Sequence, residues 1–137
     1  MIKRSLILIL LILTIIICSG CNLQKDKIYL IFNSEPITKE NALDEVRHFD
    51  LGQKTYYAIL APNGFKYHMI RVQVYKQDDK VERFGYTIYQ TKDFILDINK
   101  NYFINDLRIG GKGHFIMQIF YLNDKNFPIV RGEFWIK

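Results

Sequence analysis

The sequence predicts an all-β domain, an antiparallel sandwich of seven or eight strands, preceded by a hydrophobic signal segment. Three observations carry this. All 20 aromatic residues lie beyond residue 26, where they mix with frequent Ile and Val, a composition suited to pleated, half-buried surfaces. Runs of period-2 alternation recur every 8–15 residues or so with turn signals between them, the spacing of a sandwich. The first 20 residues have a different character, a short basic start followed by an unbroken apolar stretch.

That first segment opens with Met1-Ile2-Lys3-Arg4 and runs apolar from Leu6 to Ile17, polar only at Thr14. A helix over these residues would span roughly 18 Å, short of the ~30 Å hydrocarbon core of a bilayer, so a secretory signal fits better than a permanent span. Cys18-Ser19-Gly20-Cys21 follows and holds both cysteines of the chain. A C-x-x-C pair can be a redox or zinc site. However, no βαβ context and no second Cys/His cluster accompanies it, and His48, His68 and His114 stand apart.

Two small residues and then a cysteine, after such a stretch, resemble the lipobox of bacterial lipoproteins, with Cys18 standing where the family usually has an aliphatic residue. The resemblance implies cleavage between Gly20 and Cys21, lipidation of Cys21, and loss of Cys18 with the signal. It implies a protein held by its lipid on the outward side of a bacterial membrane. That is the outer membrane if the organism has one, or the periplasmic face of the inner membrane. Asn22 is not the Asp that retains lipoproteins in the inner membrane of enteric bacteria.

Residues 1–20 are then the signal, 21–26 a lipidated tether and 27–137 a single sandwich domain. Removing residues 1–20 takes Lys3 and Arg4 with them and lowers the formal charge from +5 to +3. The surplus is spread out with no Lys/Arg run, so no nucleic-acid partner is expected. Lys25 and Lys27, just beyond Cys21, offer weak attraction to anionic headgroups.

Taken in order, KIYLIFN (27–33) is a first strand ended by Ser34-Glu35-Pro36. The segment from Ile37 to Gly52 reads as a short helix capped by Thr38, with Ala42, Val46 and Phe49 on one face, or as an irregular crossing between sheets. Its acids and amides tilt the reading toward the crossing. Residues 54–61 form a strand closed by Pro62-Asn63-Gly64. In 68–75, Ile70, Val72 and Val74 point one way and Arg71, Gln73 and Tyr75 the other. Two strands follow: 81–90, with Phe84, Tyr86 and Ile88 on one side, and 92–98, with Phe94, Leu96 and Ile98 on one face. Residues 102–109 are a further strand, and Gly110-Gly111-Lys112-Gly113 is a flexible turn. HFIMQIFYL (114–122) is apolar on both faces except Gln118 and belongs in the middle of a sheet. Residues 129–137 close the domain, and Pro128, which has no N–H to donate, suits a strand start. This last third resembles the closing hairpin of immunoglobulin-like or fibronectin-like modules on bacterial surfaces, without the disulfide or the central Trp of antibody domains.

The chemistry is sparse. The serines are Ser5, Ser19 and Ser34, none in a G-x-S-x-G elbow, and the retained thiol of Cys21 would be acylated, which disfavours hydrolase chemistry. Asp97-Ile98-Asn99-Lys100-Asn101 opens like a calcium loop but has Tyr102 and Arg108 where Gly and Glu belong, so it reads as a turn. Gly110–His114 does not match a phosphate loop and precedes a strand. Asp93 and Asp97 sit on one strand face about 13 Å apart, too far for paired acid–base work. We therefore expect no catalytic residues, no metal and no cofactor.

Tyr75, Tyr89 and Trp135 fall on outward faces and form a candidate binding surface for an envelope or extracellular protein or a glycan. The expected function is a lipid-anchored, non-enzymatic binding or structural module. The alternative is a small envelope enzyme or ligand-binding accessory protein using a pocket built from His68, His114 and an acid.

Overall fold

Eight strands, and no helix among the described residues, build the computed structural model, which describes residues 27–77 and 85–137. The signal, Gly20, Cys21 and the tether lie outside the described residues, as do Val81 and Phe84. The strands are β1 (Tyr29–Asn33), β2 (His48–Phe49), β3 (Lys54–Leu60), β4 (Met69–Gln77), β5 (Tyr86–Ile95), β6 (Tyr102–Arg108), β7 (Gly113–Tyr121) and β8 (Val130–Ile136).

They form a three-stranded sheet in the order β1-β3-β6 and a five-stranded sheet in the order β2-β8-β7-β4-β5. With β1 and β2 as the two halves of a divided first strand, β3, β4, β5, β6, β7 and β8 take the places of strands B, C, C′, E, F and G of an immunoglobulin-like sandwich. All pairings are antiparallel except β2 with β8, which is parallel.

The core lies between the sheets. β3 contributes Tyr57 and Ile59, β4 contributes Ile70, Val72 and Val74, β7 contributes Phe115, Met117 and Ile119, and β8 contributes Phe134 and Ile136. Phe134 is its hub. It stacks on Phe115 at 5.6 Å, tilts against Phe32 of β1 at 5.1 Å, and meets the edge of Phe49 at 6.0 Å. Between Phe134 and Val130 stands Gly132, where an added Cβ would lie 2.6 Å from Phe32 Cε2 and 3.0 Å from Leu30 Cδ2. The facing sheet thus occupies the space of a side chain, the usual reason for a glycine inside a strand.

As its two apolar faces predicted, β7 is central, paired with both β4 and β8. Residues 34–47 are the crossing between sheets and contain no helix. Amide side chains hold this segment. The Asn33 Nδ2 group donates to the carbonyls of Asn41 and Asp44 at 3.3 and 3.1 Å, while Asn41 Oδ1 accepts from the Thr38 N–H at 2.8 Å. Such side-chain bonds offer the backbone partners that a helix would otherwise supply.

Two strand expectations change. Residues 86–95 are one continuous strand where two were expected, because Thr91 pairs with Gln73 without a break. Phe94 and Leu96 turn inward as expected, but Ile98 lies in the following turn and is 73% exposed. That turn is held by Asp97, whose Oδ1 accepts from the Asn99 N–H at 3.0 Å, so the calcium-like sequence is locally satisfied.

Candidate functional site

The outer face of the five-stranded sheet carries the most organised set of chemistry-bearing side chains. Alternation on β8 sends Phe134 inward and Trp135 and Glu133 outward, and on β7 it sends Phe115 inward and His114 and Ile116 outward. Register then lines residues up across the strands. His48 pairs with Trp135, Trp135 with His114, and Gln77 with Tyr86, which places one row of side chains over all five strands, about 19 Å wide at the usual strand spacing.

Within the row the rings stack. His114 lies 4.6 Å from Trp135 with planes 9° apart, and His48 covers the other side at 5.1 Å and 24°. Both nitrogens of His114 are engaged. Nε2 donates to Glu133 Oε2 at 2.8 Å, and Nδ1 sits 3.2 Å from the Tyr86 hydroxyl and 3.1 Å from Gln77 Oε1. With its proton on Nε2, Nδ1 accepts from the Tyr86 O–H. The imidazole is therefore fixed in orientation, with both ring nitrogens directed into the sheet's own side chains.

Trp135 points outward as expected, but its two faces are covered by imidazoles, so only its edge meets solvent. Tyr75 also faces outward and is half-buried, its hydroxyl donating to Gln73 Oε1 at 2.6 Å, and burial pushes that hydroxyl's pKa up. Tyr89 does not join them. A bulge between Val74 and Tyr75 leaves Tyr89 unpaired and reverses the alternation, so its ring meets the edge of inward-facing Phe115 at 5.6 Å and its hydroxyl accepts from the Gly110 N–H at 2.9 Å. Of the three aromatics, Tyr75 and Trp135 share the outer face on strands separated by β7, and Tyr89, although 41% exposed, lies on the other side of β5.

His48, Glu133, Tyr86 and Gln77 were not singled out in the sequence. His48 shows no strand pattern beyond His48-Phe49 itself, and only the parallel pairing with β8 reveals its place beside Trp135.

His68 and His114 do not come together. His68 precedes β4 at the end where Ile70 faces Tyr121, whereas His114 lies at the other end of β7, about 30 Å away along the strands. Among the described residues, no three His, Cys, Asp or Glu side chains group as metal ligands. Asp93, one of the acids considered above, makes a two-point pair with Arg71 across β4 and β5, at 2.8 and 2.9 Å. Those bonds hold the Asp93 carboxyl below the usual carboxylate range and raise the Arg71 guanidinium. An open groove of about 490 Å³ lies at the opposite end from the stacked rings, lined by Lys27, Asn63, Phe65, Lys66, Tyr121 and Ile129 among others.

No protein-family model matches the chain, and no curated protein matches it. Solved structures do. The soluble domain of PmoD from Methylocystis sp. ATCC 49242 (Rockwell) is similar with a TM-score of 0.51 at 11% identity, over 82% of this chain and 92% of that one. An immunoglobulin-like protein, PA1606 from Pseudomonas aeruginosa, gives 0.47 at 8% identity over 83% of this chain and 99% of that one. A β-glucosidase from Listeria innocua in complex with glucose gives 0.38 at 11% identity, the match covering 81% of this chain and 16% of that one. The first of these likenesses supports the sandwich fold. Among the described residues, no helix is long and apolar enough to cross a membrane.

Proposed function

We propose that this chain is a non-enzymatic binding module, lipid-anchored through Cys21 on the outward side of a bacterial membrane, and that the outer face of its five-stranded sheet receives a protein partner. The observation that carries this reading is the stacked His48–Trp135–His114 row with Glu133 and Tyr86 bonded to it. The rings are ordered before any partner arrives, so little side-chain entropy is lost on association. Aromatic residues of this kind, held in a fixed frame, are the usual anchors of protein interfaces.

The same geometry disfavours the enzyme alternative, since the imidazole best placed to act as a base has both nitrogens occupied and lies far from His68. It also favours a protein over a glycan. Sugar rings stack on an open aromatic face, and both faces of Trp135 are covered. The lipid anchor rests on the lipobox-like CSGC and the segment before it.

The test is capture of partners from intact envelopes with the acylated chain and with Trp135→Ala. Trp135 is outside the core, so the variant should fold, and it should lose a protein that the parent retains. Identical capture by the two chains would sink the assignment of this face.

A further inference from the structure

Four segments meet at the end of the sandwich where the described chain begins: residues 27–28, 61–68, 96–101 and 122–129. They are tied together. The Ala61 N–H donates to the Asn101 carbonyl at 2.8 Å, Leu96 N–H to the His68 carbonyl at 2.6 Å, and Leu122 N–H to the Met69 carbonyl at 3.1 Å. These segments carry four lysines, Lys27, Lys66, Lys100 and Lys125, against two aspartates, Asp97 and Asp124. Both aspartates are turned onto their own loops, accepting from the N–H groups of Asn99 and Asn126.

The described connections at the opposite end, 34–47, 50–53 and 109–112, have the reverse balance, five acids against three bases. Among the described connections, charge is therefore basic at the end where residue 27 lies and acidic at the other, where Lys54, Arg108 and Lys137 stand at the adjoining strand ends. The basic end also exposes large apolar side chains without a cover, Phe127 at 78%, Ile98 at 73% and, beside them on β5, Ile95 at 77%. Lysines interleaved with exposed Phe and Ile are the composition that lies in a membrane interface.

We infer that the basic, apolar-tipped end formed by Lys27, Lys66, Lys100, Lys125, Ile98 and Phe127 docks on an anionic bilayer surface. This would hold the sandwich upright with its His48–Trp135–His114 row at the end far from the lipid. The inference rests on the lipid-anchor reading. The reach of the chain supports it: six residue steps from Cys21 to Lys27 extend at most about 20 Å, so this end is the one held against the headgroups. Charge supports it too, since loops that carry four lysines against two aspartates are attracted to an anionic leaflet. The groove between Lys27 and Lys66 gives headgroup phosphates a place to enter among cations, while Phe127 and Ile98 reach the acyl boundary. Trp135 sits near the other end of β8, about 20 Å from Ile129 along the strand.

The experiment uses the full acylated chain in vesicles containing phosphatidylglycerol and brominated lipid. Trp135 is the only tryptophan, so the indole introduced by Phe127→Trp on an exposed loop is a second, separable emitter. Docking predicts bromolipid quenching of the added emission with Trp135 unquenched. Lys66→Gln and Lys125→Gln should each weaken docking about fivefold, and neutral vesicles should abolish it. Acylation is read separately from the mass of the intact chain. An acylated chain that stays with the vesicles while the position-127 indole remains unquenched overturns the docking and spares the anchor. A chain without an acyl group overturns both. Quenching that ignores lipid charge and both lysine substitutions overturns the electrostatic orientation.

Discussion

Replacing Gly132 by alanine adds a single methyl group to a strand whose conformation any residue can adopt, yet it should be among the more damaging small changes in the domain. The new Cβ would stand 2.6 Å from Phe32 Cε2 and 3.1 Å from Phe32 Cζ, both of a fully buried ring. Carbon atoms at rest sit near 3.5–4.0 Å, so β1 or its ring must retreat by roughly 1 Å. The ring has little freedom to do so because Phe134 lies 5.1 Å away on one side. Overpacking of this kind costs about 1–3 kcal/mol. For a domain of about a hundred residues this lowers Tm by roughly 4–8 °C per kcal/mol, readable by calorimetry or by circular dichroism on heating. The cause is checked with Phe32→Leu, which loses some packing alone but removes the two ring atoms that the methyl meets, leaving the 3.0 Å approach to Leu30 Cδ2. The double variant should therefore be less destabilised than the sum of the two single ones. A neutral Gly132→Ala, or a double variant that is merely additive, would refute the account of two sheets pressed together at this point.

Thr55 is fully buried and its Oγ1 has no hydrogen-bond partner, so Thr55→Val should raise Tm by a few degrees, corresponding to about 1 kcal/mol, and a lower Tm would show a partner for the hydroxyl. The pairing with Arg71 depresses the Asp93 carboxyl, and its contribution to stability is then complete above the ordinary carboxylate pKa near 3.9 and fades as pH falls through the lower folded value. In a stability-against-pH curve, Asp93→Asn should accordingly lower the neutral plateau slightly and converge with the parent in acid, which flattens the limb below about pH 4, and an unchanged limb would count against the pair. Cys21→Ala should abolish fatty-acid labelling and formation of the mature form, and Cys18→Ala should spare both. Labelling that survives the loss of Cys21 would overturn the lipobox reading.

The parts of the fold that were legible in the sequence are those where one face or both faces repeat the same chemistry. Met117 and Ile116 point to opposite sides of β7 and both are buried, so its central position follows from the residues alone. Ile70, Val72 and Val74 announced β4 by alternation. Alternation fails at Tyr89 because one extra residue in a bulge exchanges the two faces, and no side chain in the run marks the shift. It fails again at His48, since a strand of two residues has no period to detect. The candidate site suffered most from these gaps. Its row is assembled by register between β2, β8, β7, β4 and β5, a property of pairing rather than of any one segment, so Trp135 and His114 were each visible but their stacking, and His48 on the other side, were not.

The short strand β2 also gives the domain a mechanical character. It runs parallel to β8, and a pull applied between residue 27 and residue 137 would draw the two strands along their common axis in opposite senses. Three backbone bonds join them, Trp135 N–H to the Arg47 carbonyl at 2.8 Å, Lys137 N–H to the Phe49 carbonyl at 2.9 Å, and Leu51 N–H to the Lys137 carbonyl at 3.2 Å. Loaded in shear, they share the force and yield together, where a peeled hairpin would open one bond at a time. Two residues of strand thus act as a latch that keeps the first strand on both sheets when the chain is stretched from its ends.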